Sequence, residues 1–166
     1  MKKPLKITLG LGLLGFAGIQ VDALADRLPV VQKHIHLDRP ADRTVDAAKS
    51  LESATSAPED IRKLITAACA DCHSAKTVWP WYSYVAPMKW LVIEHVVQGR
   101  KHFDFATFGD ESSEDQAHLL EECATEVGEK HMPIDNYTWL HPEAKLSETD
   151  RKKLVDWLNA EAAKRK

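Results

Sequence analysis

A chain of 166 residues, 28% charged and 44% hydrophobic, has the size and make-up of one modest globular domain, with enough Leu, Val, Ile and Trp to bury a core. Three cysteines are too few for a disulfide scaffold, and 8 Pro with 7 Gly exclude a fibrous or low-complexity chain. A net charge of −3 leaves no basic footprint, which argues against nucleic acid as a partner.

The first 25 residues follow the pattern of an export signal. Lys2, Lys3 and Lys6 form a positive start, residues 7–21 an uncharged and mostly apolar run, and Ala23, Leu24 and Ala25 a small-x-small cleavage site. The run is shorter than the roughly 20 residues that span a bilayer comfortably, and an uncleaved membrane anchor is the alternative. No Cys follows it, so no lipid attaches there. Either way the rest of the chain is expected outside the cytoplasm, in the periplasm, as a mildly acidic domain.

Residues 26–57 show mixed polarity and no sustained period, with at best a short helical turn over 46–53; they read as an N-terminal strap. Beyond them the period is helical. Ser56 and Glu59 have the spacing of a capping box with Pro58 in the first turn, ahead of Ile61, Leu64, Ile65 and Ala68, which lead into Cys69. Pro87 opens a second helix with Leu91, Val92, His95 and Val96 on one face and Gly99 to close it. Ser113 and Gln116 form another capping box before Leu119, Leu120, Cys123 and Val127, with Gly128 as the stop. Ser147 caps a fourth helix whose stripe is Leu154, Val155 and Leu158. No strand alternation persists. The expected fold is all-α, a bundle of about four helices over residues 58–166, with long loops at 74–86, 100–112 and 129–146.

Cys69-Ala70-Asp71-Cys72-His73 is a C-x-x-C-H pattern, the spacing of c-type haem attachment. Two thiols three positions apart near a helix end each add to one porphyrin vinyl group, and the next residue, His73, supplies the proximal nitrogen. This makes the expected cofactor one covalent haem c, and the fold a cytochrome c-like one wrapped round it. The competing readings are a zinc site, which needs two further ligands when only Cys123 remains as a thiol, a thioredoxin-like redox pair, which lacks its βαβ context, and a Cys69–Cys72 disulfide. The disulfide would leave His73 without a role.

The second axial ligand is a choice among Met132 and several histidines. Met132 precedes Pro133, which biases it toward an extended backbone suited to a strap across a porphyrin face, and it is the preferred ligand. His95, on the apolar face of the second helix, and His131, beside Met132, are the alternatives. His141 is a loop candidate, His102 and His118 face solvent, His34 and His36 lie in the strap, and Met88 reads as core. Trp79-Pro80-Trp81-Tyr82-Ser83-Tyr84 reads as a wall beside the porphyrin or as ordinary packing, whereas Trp90, Trp139 and Trp157 read as structural. Arg100 and Lys101 are either propionate partners or a solvated cationic turn. Cys123, on an apolar helix face, reads as an inert buried thiol.

Cys69-Ala-Asp-Cys-His-Ser74 followed by Trp79-Pro-Trp-Tyr-Ser-Tyr-Val-Ala-Pro87 resembles the haem-binding-domain family of exported bacterial c-type proteins. The likeness continues in Trp90-Leu-Val, in His95-Val-Val-Gln-Gly-Arg100, in Met132-Pro133 and in Tyr137-Thr-Trp-Leu-His-Pro-Glu-Ala-Lys-Leu-Ser147, and covers roughly residues 59–160. It implies one covalent haem c, an exported location and often an N-terminal membrane anchor. Two positions depart from the family pattern: Asp104 stands where Asn is usual, and His131 where an acidic residue commonly precedes Met-Pro. The leading expectation is a monohaem electron-transfer cytochrome, with His73 and Met132 on the iron and redox proteins of the periplasm or inner membrane as partners. The alternative class is a haem enzyme or sensor, peroxidase-like or binding a small molecule, with a labile distal site.

Overall fold

The computed structural model describes residues 38–166, so the segment read as an export signal and the first part of the strap, with His34 and His36, lie outside the described residues. The described residues are all-α, with no strand among them. Four long helices carry the fold: α2 (Glu59–Ala68), α4 (Met88–His102), α5 (Ser113–Gly128) and α7 (Glu148–Ala163). Three single-turn helices, α1 (Leu51–Ala54), α3 (Ala70–His73) and α6 (Asp135–Thr138), sit between them. The segments read as loops also hold 3-10 turns at Trp81–Tyr84, Phe108–Asp110 and Pro142–Ala144.

α5 and α7 make the largest helix–helix contact and run antiparallel. The end of α7 meets the start of α5, where Ser113 Oγ donates to the Arg165 carbonyl and Arg165 Nε donates to Gln116 Oε1. Between them and α2 lies the core, in which Leu51, Leu120, Leu154, Leu158 and Phe108 are almost wholly excluded from water. Apolar burial of this kind contributes about 1.5–3 kcal/mol per large side chain. Leu51 and Ala57 place part of residues 26–57 in that core, and Leu51 N–H donates to the Phe105 carbonyl at 2.8 Å.

Three helix ends differ from the sequence reading. Ser56 is not an N-cap: it takes φ 50° as the left-handed residue that closes α1, with its own N–H on Ser53 O and that of Ala57 on Glu52 O. α2 starts at Pro58 with no side-chain cap. The cap of α5 is Ser112, one residue early, whose Oγ accepts from Asp115 N. α5 does end at Gly128, and the chain reverses two residues later at Lys130, φ 67°, with its N–H on Val127 O and that of His131 on Glu126 O. Gly99 does not end α4, which runs on to His102. Ser147 caps α7 as expected, accepting from Asp150 N at 3.1 Å.

Candidate haem site

α2 delivers Cys69 at its C-cap, where the backbone leaves helical geometry (φ −130°, ψ −35°) and α3 begins. Cys69 O accepts from the N–H groups of both Cys72 and His73, which sets the two cysteines one helical turn apart. α4 packs directly on this turn. A Cβ on Gly99 would stand 2.9 Å from Cys72 O and 3.1 Å from Cys72 Cβ, closer than real Cβ atoms come to a backbone oxygen. Gly99 is therefore an approach point between helices.

His73 is held by the segment that follows α4. Its Nδ1–H donates to the Phe103 carbonyl at 2.8 Å, and its own carbonyl accepts from Phe105 N at 2.9 Å. The Phe105 ring stacks on the imidazole, with centroids 5.1 Å apart and planes 19° from parallel. Because a carbonyl only accepts, the proton sits on Nδ1 and the lone pair on Nε2 is left for a metal. Burial lowers the His73 pKa, against the opposing pull of the Phe103 carbonyl and the Asp104 charge, so the ring is neutral. Asp104 is fixed in turn by Ala106 N at 3.0 Å and by Arg43 Nη2 at 2.5 Å.

The two cysteines look onto different surroundings. Cys69 packs against the main core, as do Cys123 and half-buried Met132. Cys72 lines a shallow apolar cleft that opens to solvent, shared with Tyr82, Met88, Val92, His95 and Tyr137. Burial pushes the Cys69 thiol far up, and the Cys72 and Cys123 thiols up to about 11 and about 12. All three sulfurs are free. Among the described residues no three His, Cys, Asp or Glu side chains converge on a metal position.

Met132 is positioned through its backbone. Its N–H donates to Glu126 O at 3.0 Å as part of the close of α5, and its carbonyl accepts from Arg151 Nη1 at 2.9 Å, the same nitrogen that binds Val127 O. Neighbouring His131 points outward, 60% exposed, with Nδ1 at 3.4 Å from Glu126 and 3.7 Å from Glu129. His95 is half-buried in the Cys72 cleft, where desolvation lowers its pKa. His102 and His118 are exposed. Arg100 is engaged by the protein itself: Nε donates to Ser74 O at 2.8 Å and Nη2 to Thr77 Oγ1 at 3.1 Å, stapling the chain that leaves His73. Of the aromatic run, Tyr82 is buried in the cleft wall, while Trp81 and Tyr84 are exposed and the Tyr84 ring lies under the Arg39 guanidinium.

Phe103 and Phe105 were not legible as site residues, since their part is played by a carbonyl oxygen, an N–H and a ring face; the two phenylalanines flanking Asp104 were the one available signal. The same is true of the hydroxyl and carboxylate contacts of Tyr82, Tyr137 and Asp71 along the cleft.

A helical domain that presents a neutral, backbone-oriented imidazole next to two cysteines on one turn, with apolar surroundings on both sides, is built as a haem-binding protein. The haem-binding domain family matches residues 28–160, and the chain belongs to that family. No curated protein and no solved structure matches the chain.

Proposed function

We propose that this haem-binding domain is an exported monohaem c-type cytochrome that carries single electrons between redox proteins of the periplasm or inner membrane. The observation that carries the reading is the His73 Nδ1–Phe103 carbonyl bond beside the Cys69–Cys72 pair. It leaves Nε2 unprotonated and aimed by a rigid support, as an axial imidazole requires. Cys69 and Cys72 would form the two thioethers, His73 the proximal bond and Met132 the distal one. Bound haem supplies a one-electron Fe(III)/Fe(II) couple, which thioether ligation biases toward positive potential.

The chain's own groups keep that couple tight. Phe103 and Phe105 fix the imidazole plane, and Arg151 fixes the Met132 backbone, so both side chains would be held in place toward a bound haem. The export-type start of the sequence agrees with a compartment in which c-type attachment takes place. Protein matured in a periplasm is expected to keep its haem through acid–acetone extraction and denaturing electrophoresis, with a mass equal to one thioether adduct. The ferric protein should show a weak near-red sulfur-to-iron band that Met132→Ala abolishes. Colourless protein ends the reading. A wild type that lacks the band and binds cyanide at once replaces the carrier with a haem enzyme or sensor, its distal position open or held by His95 or His131.

A further inference from the structure

At the mouth of the Cys72 cleft, three segments of chain are joined by hydrogen bonds that ligand support does not use. Tyr82, buried in the Trp81–Tyr84 turn, meets His141 Nε2 through its hydroxyl at 2.7 Å. His141 Nδ1 lies 3.0 Å from Glu143 Oε1. Ionised Glu143 only accepts, so Nδ1 carries a proton, and whenever Nε2 carries none the Tyr82 O–H donates to it. Tyr137 stacks on the imidazole with centroids 4.2 Å apart, and its hydroxyl donates to Asp71 Oδ2 at 2.9 Å, inside the Cys-x-x-Cys-His motif itself. The His141 side chain is 16% exposed and Glu143 62%, so the chain of contacts runs from water to a phenol that shares its cleft with Cys72.

We propose that His141, held between Glu143 and Tyr82, takes up a proton when an electron arrives at haem attached through Cys72, making electron transfer proton-coupled. The inference rests on the attachment reading above. The electron comes from a one-electron donor protein and converts ferric to ferrous iron; the proton comes from water and ends on His141. No bond to carbon or sulfur changes. Both ring nitrogens then donate, Nδ1 to Glu143 and Nε2 to the Tyr82 oxygen, whose own hydrogen turns away from the ring. The added negative charge is met by one positive charge, and the Glu143 carboxylate stabilises the imidazolium. That carboxyl lies below its ordinary pKa through its own backbone amide and then through His141.

The titratable groups facing His141 are Tyr82, Tyr137 and Glu143, with Asp71 behind Tyr137. α2, which packs on the Pro142–Ala144 turn, has charges engaged elsewhere: Arg62 on Ala57 O, Asp60 on Lys153 and Lys63 near Glu59.

The test is a redox titration of the haem-loaded full chain from about pH 5 to about pH 9, comparing wild type with His141→Gln and Tyr82→Phe. It is paired with NMR titration of the His141 ring in the ferric and ferrous states. The midpoint potential should fall as pH rises through the His141 titration, and His141→Gln should remove that slope. The ferrous protein should hold the His141 proton about threefold more tightly than the ferric one. An unchanged slope in His141→Gln, or equal His141 titration in both states, overturns the proposal and leaves haem attachment standing. A chain without covalent haem overturns the attachment reading and this one with it. If His141→Gln does not fold, the two-state titration of the wild-type ring decides alone.

Discussion

Gly99 carries more of the site than its size suggests, because only a residue without a Cβ lets α4 lie against the carbonyl of Cys72. Its backbone is ordinary helix, so the demand is for space. Gly99→Ala should cost about 1–3 kcal/mol in chemical denaturation, since the obstructing atom is backbone and cannot rotate aside. A variant as stable as wild type would mean that α3 and α4 separate without penalty. The sequence reading took Gly99 for a helix stop, the usual meaning of a glycine after an apolar stripe, because a contact with a distant segment leaves no trace in the local pattern. Cys69, Cys72 and His73, by contrast, stood out because their chemistry resides in the side chains and their spacing is local. Phe103 was invisible for the opposite reason: its contribution is a carbonyl, which every residue has.

At the level of elements, the segment carrying Met132 is set by how α5 ends. Lys130 reverses the chain in the left-handed region, which puts the N–H groups of His131 and Met132 on the Glu126 carbonyl in the last turn of the helix. Arg151, near the start of α7, then ties Val127 O and Met132 O together. Arg151→Ala should cost about 1.5–3 kcal/mol, the worth of charge-assisted hydrogen bonds to buried carbonyls. In the haem-loaded protein it should also weaken the near-red band more than a substitution of exposed Lys152 does. Equal bands in the two variants would show that Met132 needs no help from α7. The existence and order of the long helices were legible from apolar spacing, and their ends less so. Ser112 and Ser113 both fit a cap, and only the geometry of Asp115 decides between them. The outward turn of His131 toward Glu126 and Glu129 depends on carboxylates that the helix close brings to it.

For the molecule as a whole, the far end is closed by Arg165. It binds Glu161 Oε2 at 3.0 Å and Gln116 Oε1 at 2.9 Å, and lies over the Phe108 ring. Glu161 is buried and also pairs with Lys164. Burial alone pushes its carboxyl up, but the hydrogen bonds and charges of Lys164 and Arg165 outweigh this and hold it below its ordinary 4.5. A lowered pKa in the folded state means that the stabilisation is complete above pH 4.5 and drains away as pH falls through the lowered value. Glu161→Gln should melt below wild type at neutral pH, with the gap narrowing under acid conditions. A gap independent of pH would show that the carboxylate charge contributes nothing.

The packing of Cys69 against the core bears on when the protein is finished. A sulfur that packing keeps in the thiol form is a poor nucleophile toward an alkene, so the proposed thioethers are made more readily while the polypeptide is still open. Manufacture becomes a race between a chemical step and a collapse, and a copy that collapses first has locked its own door.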